Sequence, residues 1–327
     1  MADDENPNKE QKNEQPKLPK QPRGQQEVPV TLLNGYLVED EGLQNVYGSD
    51  KFKSELEDII LGMKGGPAYR MMGVNPPKSF MFTGPPGTGK TYSIRNIASE
   101  LAKDVLPENV ALMKYDIGTM GTAYINMGSV NMQNFFNVGK TIVDHPDVDI
   151  HSVIYFVDEC DALLTQRGSG SQAHKEDDKL LETIMKNLQE INDRETNEFI
   201  FFATNFPEAL DKAAVRSGRI DKKVEFPLPD YDMRKGIIEG YIEKYNKERN
   251  VLKGIKPYIL AEMSNGFNCA DLNQCFADAI QERVKKELKR EDRKLTTNMY
   301  VSHKRLEDAF KEMKNRKAPT KKRIGYI

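Results

Sequence analysis

Short apolar runs and amphipathic segments alternate along the first two thirds of the chain. Four runs rich in aromatic and β-branched residues predict buried strands, at 79–83, 111–117, 151–158 and 198–204. Apolar residues at helical spacing predict helices between them, at 90–103, 130–144 and 178–192, and before them at 51–63. This alternation predicts an α/β domain, with helices on both faces of a parallel sheet.

The pattern changes after "FPLPD" (226–230), where further segments have helical periodicity only: 231–247, 256–264, 271–290 and 302–315. The first 29 residues are polar and lack large apolar side chains, which predicts a disordered tail. We therefore expect a polar tail over 1–29, an α/β domain over 30–230, a helical domain over 231–314 and a flexible basic tail over 315–327.

Charge and cysteine content exclude some classes of function. The 327 residues carry 48 Lys and Arg against 50 Asp and Glu, so the whole chain offers no electrostatic argument for binding nucleic acid or a membrane. Three cysteines without CxxC spacing do not form a disulfide framework, and the N-terminus has no apolar run of signal-peptide type. We expect a cytoplasmic protein without a membrane span and without a nucleic-acid partner.

The sequence "GPPGTGKT" (84–91) follows the first predicted strand and opens a helix. It fits the phosphate-binding pattern G-x-x-x-x-G-K-[ST], in which backbone N–H groups surround phosphates. Lys90 is predicted to contact the β- and γ-phosphates, and Thr91 to offer its hydroxyl to Mg²⁺. The simpler interpretation is a Gly/Pro turn before a helix. We assign to the nucleotide site Gly84, Pro85, Pro86, Gly87, Thr88, Gly89, Lys90, Thr91 and Tyr92.

Polar residues end two later strands, where ligands bind in open α/β sheets. The run "VIYFVDE" (153–159) places Asp158 as a Mg²⁺ ligand and Glu159 as the base that polarises an attacking water. Asn205, which ends "FFATN" (201–205), is predicted to orient that water. Each has a simpler interpretation, a solvated acidic turn for the first and a turn-forming Asn for the second.

These pieces, in this order, resemble the AAA family of the AAA+ ATPases. The stretch "FFATNFPEALDKAAVRSGRIDKKVEFPLPD" (201–230) looks like the family's second region of homology, and its second half is nearest in wording to the proteasome regulatory ATPases and proteasome-activating nucleotidases. The resemblance implies a doubly wound, parallel five-stranded sheet followed by a small all-α lid domain. It also implies that Arg216 and Arg219 are arginine fingers, which reach the nucleotide of a neighbouring subunit in a ring of six, homomeric or heteromeric.

The resemblance suggests further site residues on both sides of the phosphate loop. Where the family has an Asp–Ile–Gly run, this chain has "NVYG" (45–48), and "GFNCADL" (266–272) is similar to the family's GFSGADL element. Cys269 stands where Gly is usual, and a tyrosine replaces the usual His of the first lid helix. The implied adenine contacts are Val46, Tyr47, Tyr241, Cys269 and Ala270.

The loop "GTMGTAYINMGS" (118–129) contains an adjacent aromatic and aliphatic pair, Tyr124 and Ile125. The family carries its pore loop at this place, so the pair is implied to grip a polypeptide substrate in the central channel. An aromatic ring suits this task because it packs against any side chain. The predicted function is therefore a Mg²⁺- and ATP-dependent protein translocase or unfoldase.

Two other functions fit the same residues: disassembly of one specific complex, and a nucleotide-gated scaffold that threads nothing. The 327 residues contain no HExxH, which predicts that the chain lies outside the metalloprotease branch of the family and that any proteolysis needs a separate protease ring. The ending "IGYI" partly matches the docking tail of proteasome activators, with Tyr326 as the penultimate residue.

Overall fold

A computed structural model describes residues 18, 19, 21, 27–34, 41–103, 109–117, 128–145, 147–160, 172–206, 220–289 and 299–317, without the side chains of 172–178. The chain divides into two compact units. The first contains most residues up to Phe226, and the second contains Tyr47–Ser49, Pro86–Gly89 and the residues from Pro227 onward.

The first unit contains a six-stranded sheet with the order β1-β3-β4-β5-β2-β6. Five adjacent strands are parallel to their neighbours, in the order β3, β4, β5, β2 and β6. At the edge, β1 pairs with β3 in the antiparallel sense. The strands are β1 Val30–Asn34, β2 Ser79–Thr83, β3 Asn109–Asp116, β4 Ser152–Asp158, β5 Glu198–Thr204 and β6 Lys222–Glu225. The helices of this unit are α1 Asp50–Lys64, α2 Gly66–Met71, α3 Lys90–Ala102, α4 Gly128–Asp144 and α5 Gln172–Asp193, with a 3-10 turn at Leu43–Asn45.

Apolar side chains cover both faces of this sheet. All seven residues of β5 are buried, as expected for a parallel strand with helices above and below. One face packs on α4 and α5 in a core that contains Phe135, Phe136 and Tyr155. The other packs on α1 and α3 in a core that contains Phe80 and Phe201. The prediction of an α/β fold with helices on both faces is confirmed.

The second unit is mainly helical and has its own core. Its helices are α6 Tyr231–Asn246, α7 Pro257–Met263, α8 Cys269–Leu288 and α9 His303–Lys317. Leu272, Cys275, Phe276 and Ala279 recur along α8 and are all fully buried. Within the described residues, no helix combines the length and the apolar character that a membrane crossing requires.

The structure corrects the expected sheets in two places. The predicted five-stranded parallel sheet has a sixth strand, the antiparallel edge strand β1. The predicted all-α second unit is wrong in detail, because β7 Leu252–Lys253 and β8 Val301–Ser302 form a two-stranded parallel sheet. Strands of two residues are too short to show the alternation by which strands are recognised in a sequence.

Candidate nucleotide site

Lys90, the first residue of α3, lies at the carboxyl edge of the sheet. It is 8% exposed, and its ammonium donates to the carbonyl oxygens of Gly84 at 2.7 Å and Pro85 at 2.9 Å. It also donates to Oδ1 of Asn205 at 2.9 Å. The lysine predicted from the phosphate loop and the asparagine predicted from the end of β5 are therefore brought into contact.

The first glycine of the loop is required by the backbone. Gly84 has φ +138°, a conformation that residues with a Cβ rarely adopt, and an added Cβ would lie 2.2 Å from the carbonyl oxygen of Phe226. Phe226 is held there because its N–H donates to the carbonyl oxygen of Thr83 at 2.7 Å. The loop therefore leaves β2 through a gap that only glycine fits.

The two predicted Mg²⁺ ligands face each other beside this loop. The Thr91 hydroxyl lies 3.5 Å from Oδ2 of Asp158, and the side chain of Asp158 is 18% exposed. A hydroxyl and a carboxylate are hard oxygen donors of the kind that Mg²⁺ prefers, usually with substrate phosphates supplying further ligands. Among the described residues, no group of three or more His, Cys, Asp or Glu side chains is arranged to hold a metal ion by itself.

Glu159 follows Asp158 in an unusual backbone conformation. Its φ is +55°, and it is the one non-glycine residue of the described chain with a positive φ. Its N–H lies 3.1 Å from Oδ1 of Asp158, while its own side chain is exposed. Left-handed non-glycine residues are uncommon and cluster at functional sites. The next residue, Cys160, is fully buried in the core and donates its N–H to the carbonyl oxygen of Ala203 at 3.0 Å.

Within the second unit, the start of α8 contacts the loop residues Pro86–Gly89. The Asn268 amide donates to the carbonyl oxygen of Pro86 at 3.0 Å, and the N–H of Ala270 donates to that of Gly87 at 3.1 Å. The Cys269 thiol lies 3.4 Å from the carbonyl oxygen of Thr88, and burial raises the pKa of this thiol to about 11. Two of the predicted nucleotide contacts, Cys269 and Ala270, thus lie directly against loop residues Gly87 and Thr88 of the same unit.

The tyrosines predicted to contact adenine belong to the second unit. Tyr47 fits against α6 at Gly236 and Gly240, where an added Cβ would come within 3.0 Å of its ring or hydroxyl. The ring of Tyr241 packs on Phe276 in the core of the unit, with 5.3 Å between ring centroids. In the first unit, Val46 is buried among apolar side chains.

The remaining predicted site residues show no contact, within the described part of the chain, that assigns them to the site. Tyr92 is 53% exposed in the first turn of α3. The predicted arginine fingers, pore-loop pair and docking residue lie outside the described residues: Arg216, Arg219, Tyr124, Ile125 and Tyr326.

Two residues that contact predicted site residues, one in each unit, were not predicted from the sequence. Lys114 of β3 places its ammonium 2.8 Å from Oδ2 of Asp158, a pairing between strands that no local pattern reveals. Asn268 caps α8 in a capping box with Asp271. The spacing N-x-x-D was the signal for this cap, because a short polar side chain before a helix and a carboxylate three residues later satisfy each other's backbone N–H groups.

Comparison with known proteins matches a large part of this chain to one protein family. The ATPase family associated with various cellular activities (AAA) matches residues 80–228. The chain is 30% identical over 236 residues to the ATP-dependent zinc metalloprotease FtsH 2 of Petrotoga mobilis, a match that covers 72% of this chain and 34% of the relative. It is 32% identical over 270 residues to the mitochondrial inner membrane i-AAA protease supercomplex subunit YME1 of Saccharomyces cerevisiae, which covers 78% of this chain and 33% of the relative.

These relatives correct one expectation. Motif wording favoured the proteasome ATPases, whereas both relatives are named as proteases of the FtsH and i-AAA type. The expectation drawn from the absence of HExxH, that any proteolysis needs a separate protease ring, stays a prediction. The chain spans about a third of the length of these relatives, so the likeness concerns their ATPase region. Residues 80–228 of this chain therefore form an ATPase domain of the AAA family.

Proposed function

We propose that this protein is a ring-forming, Mg²⁺-dependent ATPase that uses hydrolysis to translocate or unfold polypeptides. The observation that carries the proposal is the convergence of Lys90, Asn205 and the Thr91–Asp158 pair at one edge of the sheet. A cation, an amide, a hydroxyl and a carboxylate at the ends of β2, β4 and β5 are the groups that phosphoryl transfer to water requires.

The residues have separate tasks in this proposal. Lys90 exchanges the carbonyl oxygens that now hold its ammonium for phosphate oxygens of ATP. Thr91 and Asp158 hold Mg²⁺, which when bound neutralises charge on the phosphates. Glu159 acts as the general base toward water, and Asn205 positions that water from its place beside Lys90.

Glu159→Gln tests the base. The variant keeps the size of the side chain and loses its charge, so it should bind ATP as the wild type does while turnover falls at least about 100-fold, the scale of a lost general base. Fluorescent-nucleotide titration and a phosphate-release assay measure the two quantities. Turnover at the wild-type rate would exclude Glu159 as the base. Glu225→Gln is a matched control, since Glu225 ends β6 and is exposed.

Assembly is the second part of the proposal. Arg216 and Arg219 are proposed to stabilise the transition state in a neighbouring subunit, where an added guanidinium offsets developing phosphoryl charge. Subunits carrying Arg219→Ala and subunits carrying Lys90→Ala should each be inactive, and mixing them should restore part of the ATPase activity. Restoration arises at junctions that pair an intact finger with an intact nucleotide site, so a mixture as inactive as its components would refute action in trans.

Polypeptide threading is the third part. It is supported by the aromatic–aliphatic pair Tyr124–Ile125 and by the names of the relatives, one an ATP-dependent zinc metalloprotease and the other a subunit of an i-AAA protease supercomplex. Tyr124→Ala should abolish unfolding of a tagged fluorescent substrate and leave basal ATP hydrolysis within about twofold, because an aromatic grip acts only on substrate. Tyr258→Ala, at a tyrosine that is 52% exposed on α7, is the matched control. Unfolding by Tyr124→Ala at the wild-type rate would favour disassembly of one complex or a scaffold.

Docking onto a separate protease ring is tested by the tail. Deleting residues 325–327 removes Tyr326 and should abolish co-sedimentation with a protease ring while leaving ATP hydrolysis unchanged. A pull-down with the Glu159→Gln variant in ATP supplies the candidate partners, because a ring that binds ATP without turnover retains them.

A further inference from the structure

Lys114 is a charged residue in contact with a proposed magnesium ligand, and the proposed function leaves it without a task. It projects from β3 on the same face of the sheet as Asp158, and its ammonium lies 2.8 Å from Oδ2 of that residue and 5.6 Å from the centre of the Phe156 ring. Register supports the contact, since β3 and β4 are parallel neighbours and Lys114 stands opposite Phe156.

The carboxylate of Asp158 is engaged at both oxygens. Oδ1 is 3.1 Å from the N–H of Glu159, and Oδ2 is shared between the ammonium of Lys114 and the hydroxyl of Thr91. Oδ2 is therefore the oxygen that faces Thr91 and also the oxygen that is paired with Lys114. A divalent cation held between Thr91 and Asp158 needs the same oxygen.

The lysine is able to leave. Its side chain is 43% exposed, against 18% for the carboxylate, so the ammonium can move into water without crossing packed side chains. Ion pairs with such exposure are weak, and they are weakened further by salt. Breaking the Lys114–Asp158 ion pair therefore requires little free energy, but this energy is required each time the carboxylate binds a metal.

We infer that Lys114 competes with Mg²⁺ for Asp158 and so sets the Mg²⁺ concentration at which the site holds a metal–nucleotide complex. This rests on the proposed Thr91–Asp158 magnesium site. In the absence of metal the ammonium neutralises Asp158, which otherwise would stand as an unpaired carboxylate beside the incoming phosphates. Lys114 is thus a positioning residue, acting on the metal ligand rather than on the reacting atoms.

Lys114→Met tests the inference in the full chain, because it keeps the length of the side chain and removes its charge. With a fixed concentration of a fluorescent, non-hydrolysable ATP analogue, the Mg²⁺ concentration for half-maximal binding should fall about two- to fivefold, the factor expected from a partly exposed ion pair. Binding of the analogue in EDTA should be unchanged. Raising the salt concentration should reduce the difference between variant and wild type, since salt already weakens the competing pair.

Two controls separate competition from a structural effect. Lys114→Arg retains the cation and should keep the Mg²⁺ requirement of the wild type. Lys222→Met removes a comparable strand lysine, paired with Asp58 at 3.1 Å, and should leave the Mg²⁺ requirement unchanged.

Each outcome decides the matter. An unchanged or raised Mg²⁺ requirement in Lys114→Met overturns the competition, and so does a tenfold loss of binding in EDTA, which would make Lys114 a phosphate ligand instead. Binding by the wild type that is independent of Mg²⁺ overturns the proposed magnesium site itself, and the inference with it. A Mg²⁺-dependent wild type with an unshifted variant overturns the inference alone.

Discussion

Tyr155→Phe removes one hydroxyl from the centre of the sheet, where it donates to Oε1 of Glu198 at 2.7 Å. Both residues are completely buried, so water cannot replace the lost donor. Oε2 of Glu198 keeps its contacts with Arg194 and Thr196. A hydrogen bond to a charged group contributes about 1.5–3 kcal/mol to stability, and we expect the free energy of unfolding to fall by that amount.

Thermal and chemical unfolding measure the loss. For a domain of 150–250 residues, each kcal/mol lowers the melting temperature by about 2–4 °C, so Tyr155→Phe should melt about 3–12 °C below the wild type. Nucleotide affinity should not change, because Tyr155 points into the core beside α4 whereas Asp158, three residues later, belongs to the opposite face of the strand.

The neighbouring strand offers a matched control. Tyr115 is 1% exposed, and its hydroxyl lies 3.4 Å from the carbonyl oxygen of Gly128, an uncharged and long contact. Tyr115→Phe should therefore cost less than about 1 kcal/mol. If the two variants lose the same stability, the buried hydroxyl–carboxylate bond does not contribute what its geometry predicts, and the reasoning is refuted.

Three further predictions follow from described contacts. Gly84→Ala should abolish nucleotide binding in a fluorescence titration, because the new Cβ would lie 2.2 Å from the Phe226 carbonyl oxygen; binding at wild-type affinity would contradict this. Asn268→Ala should lower the free energy of unfolding of the second unit by about 0.5–2 kcal/mol through loss of the helix cap, and Asn268→Ser should largely restore it. Burial raises the pKa of the Cys269 and Cys275 thiols from 9.0 to about 11 and about 12, so the stability that this burial contributes is complete below pH 9 and is lost as the pH rises through about 11 for Cys269 and about 12 for Cys275. Unfolding midpoints between pH 8 and 11 test this, and the Cys275→Ala variant should lose less stability over that range than the wild type.

The phosphate loop and the Asp158–Glu159 pair could be identified from the sequence as candidate site residues, because each is a contiguous pattern whose chemistry depends on neighbours in the chain. The alternation of strands and helices could be predicted for the same reason, since each element has a local pattern of apolar residues. The position of Asn205 at the edge that holds Lys90 followed from one further rule, that parallel strands bring their carboxyl ends to one edge, whereas the contact between the two side chains was not predicted.

Other features depend on contacts between distant segments. The strand at Lys222–Glu225 buries Val224 while its neighbours are partly or fully exposed, so its apolar pattern is too weak to show. The Lys114–Asp158 pair depends on which strand lies beside β4. Arg216, Arg219, Tyr124 and Ile125 rest on the family resemblance and stay predictions.

The position of β2 in the sheet has a consequence for how the chain is made. This strand leads directly into the phosphate loop, yet its two partners come much later: Phe80 stands beside Phe201 on one side and Lys222 on the other. A nascent chain emerging from the ribosome therefore holds an apolar strand with both edges unpaired until β5 has been synthesised, and with one edge unpaired until β6 follows. Bound nucleotide can stabilise the folding chain only after β6 has been synthesised. We therefore expect ribosome-bound fragments that end before β6 to need chaperones and to bind no ATP.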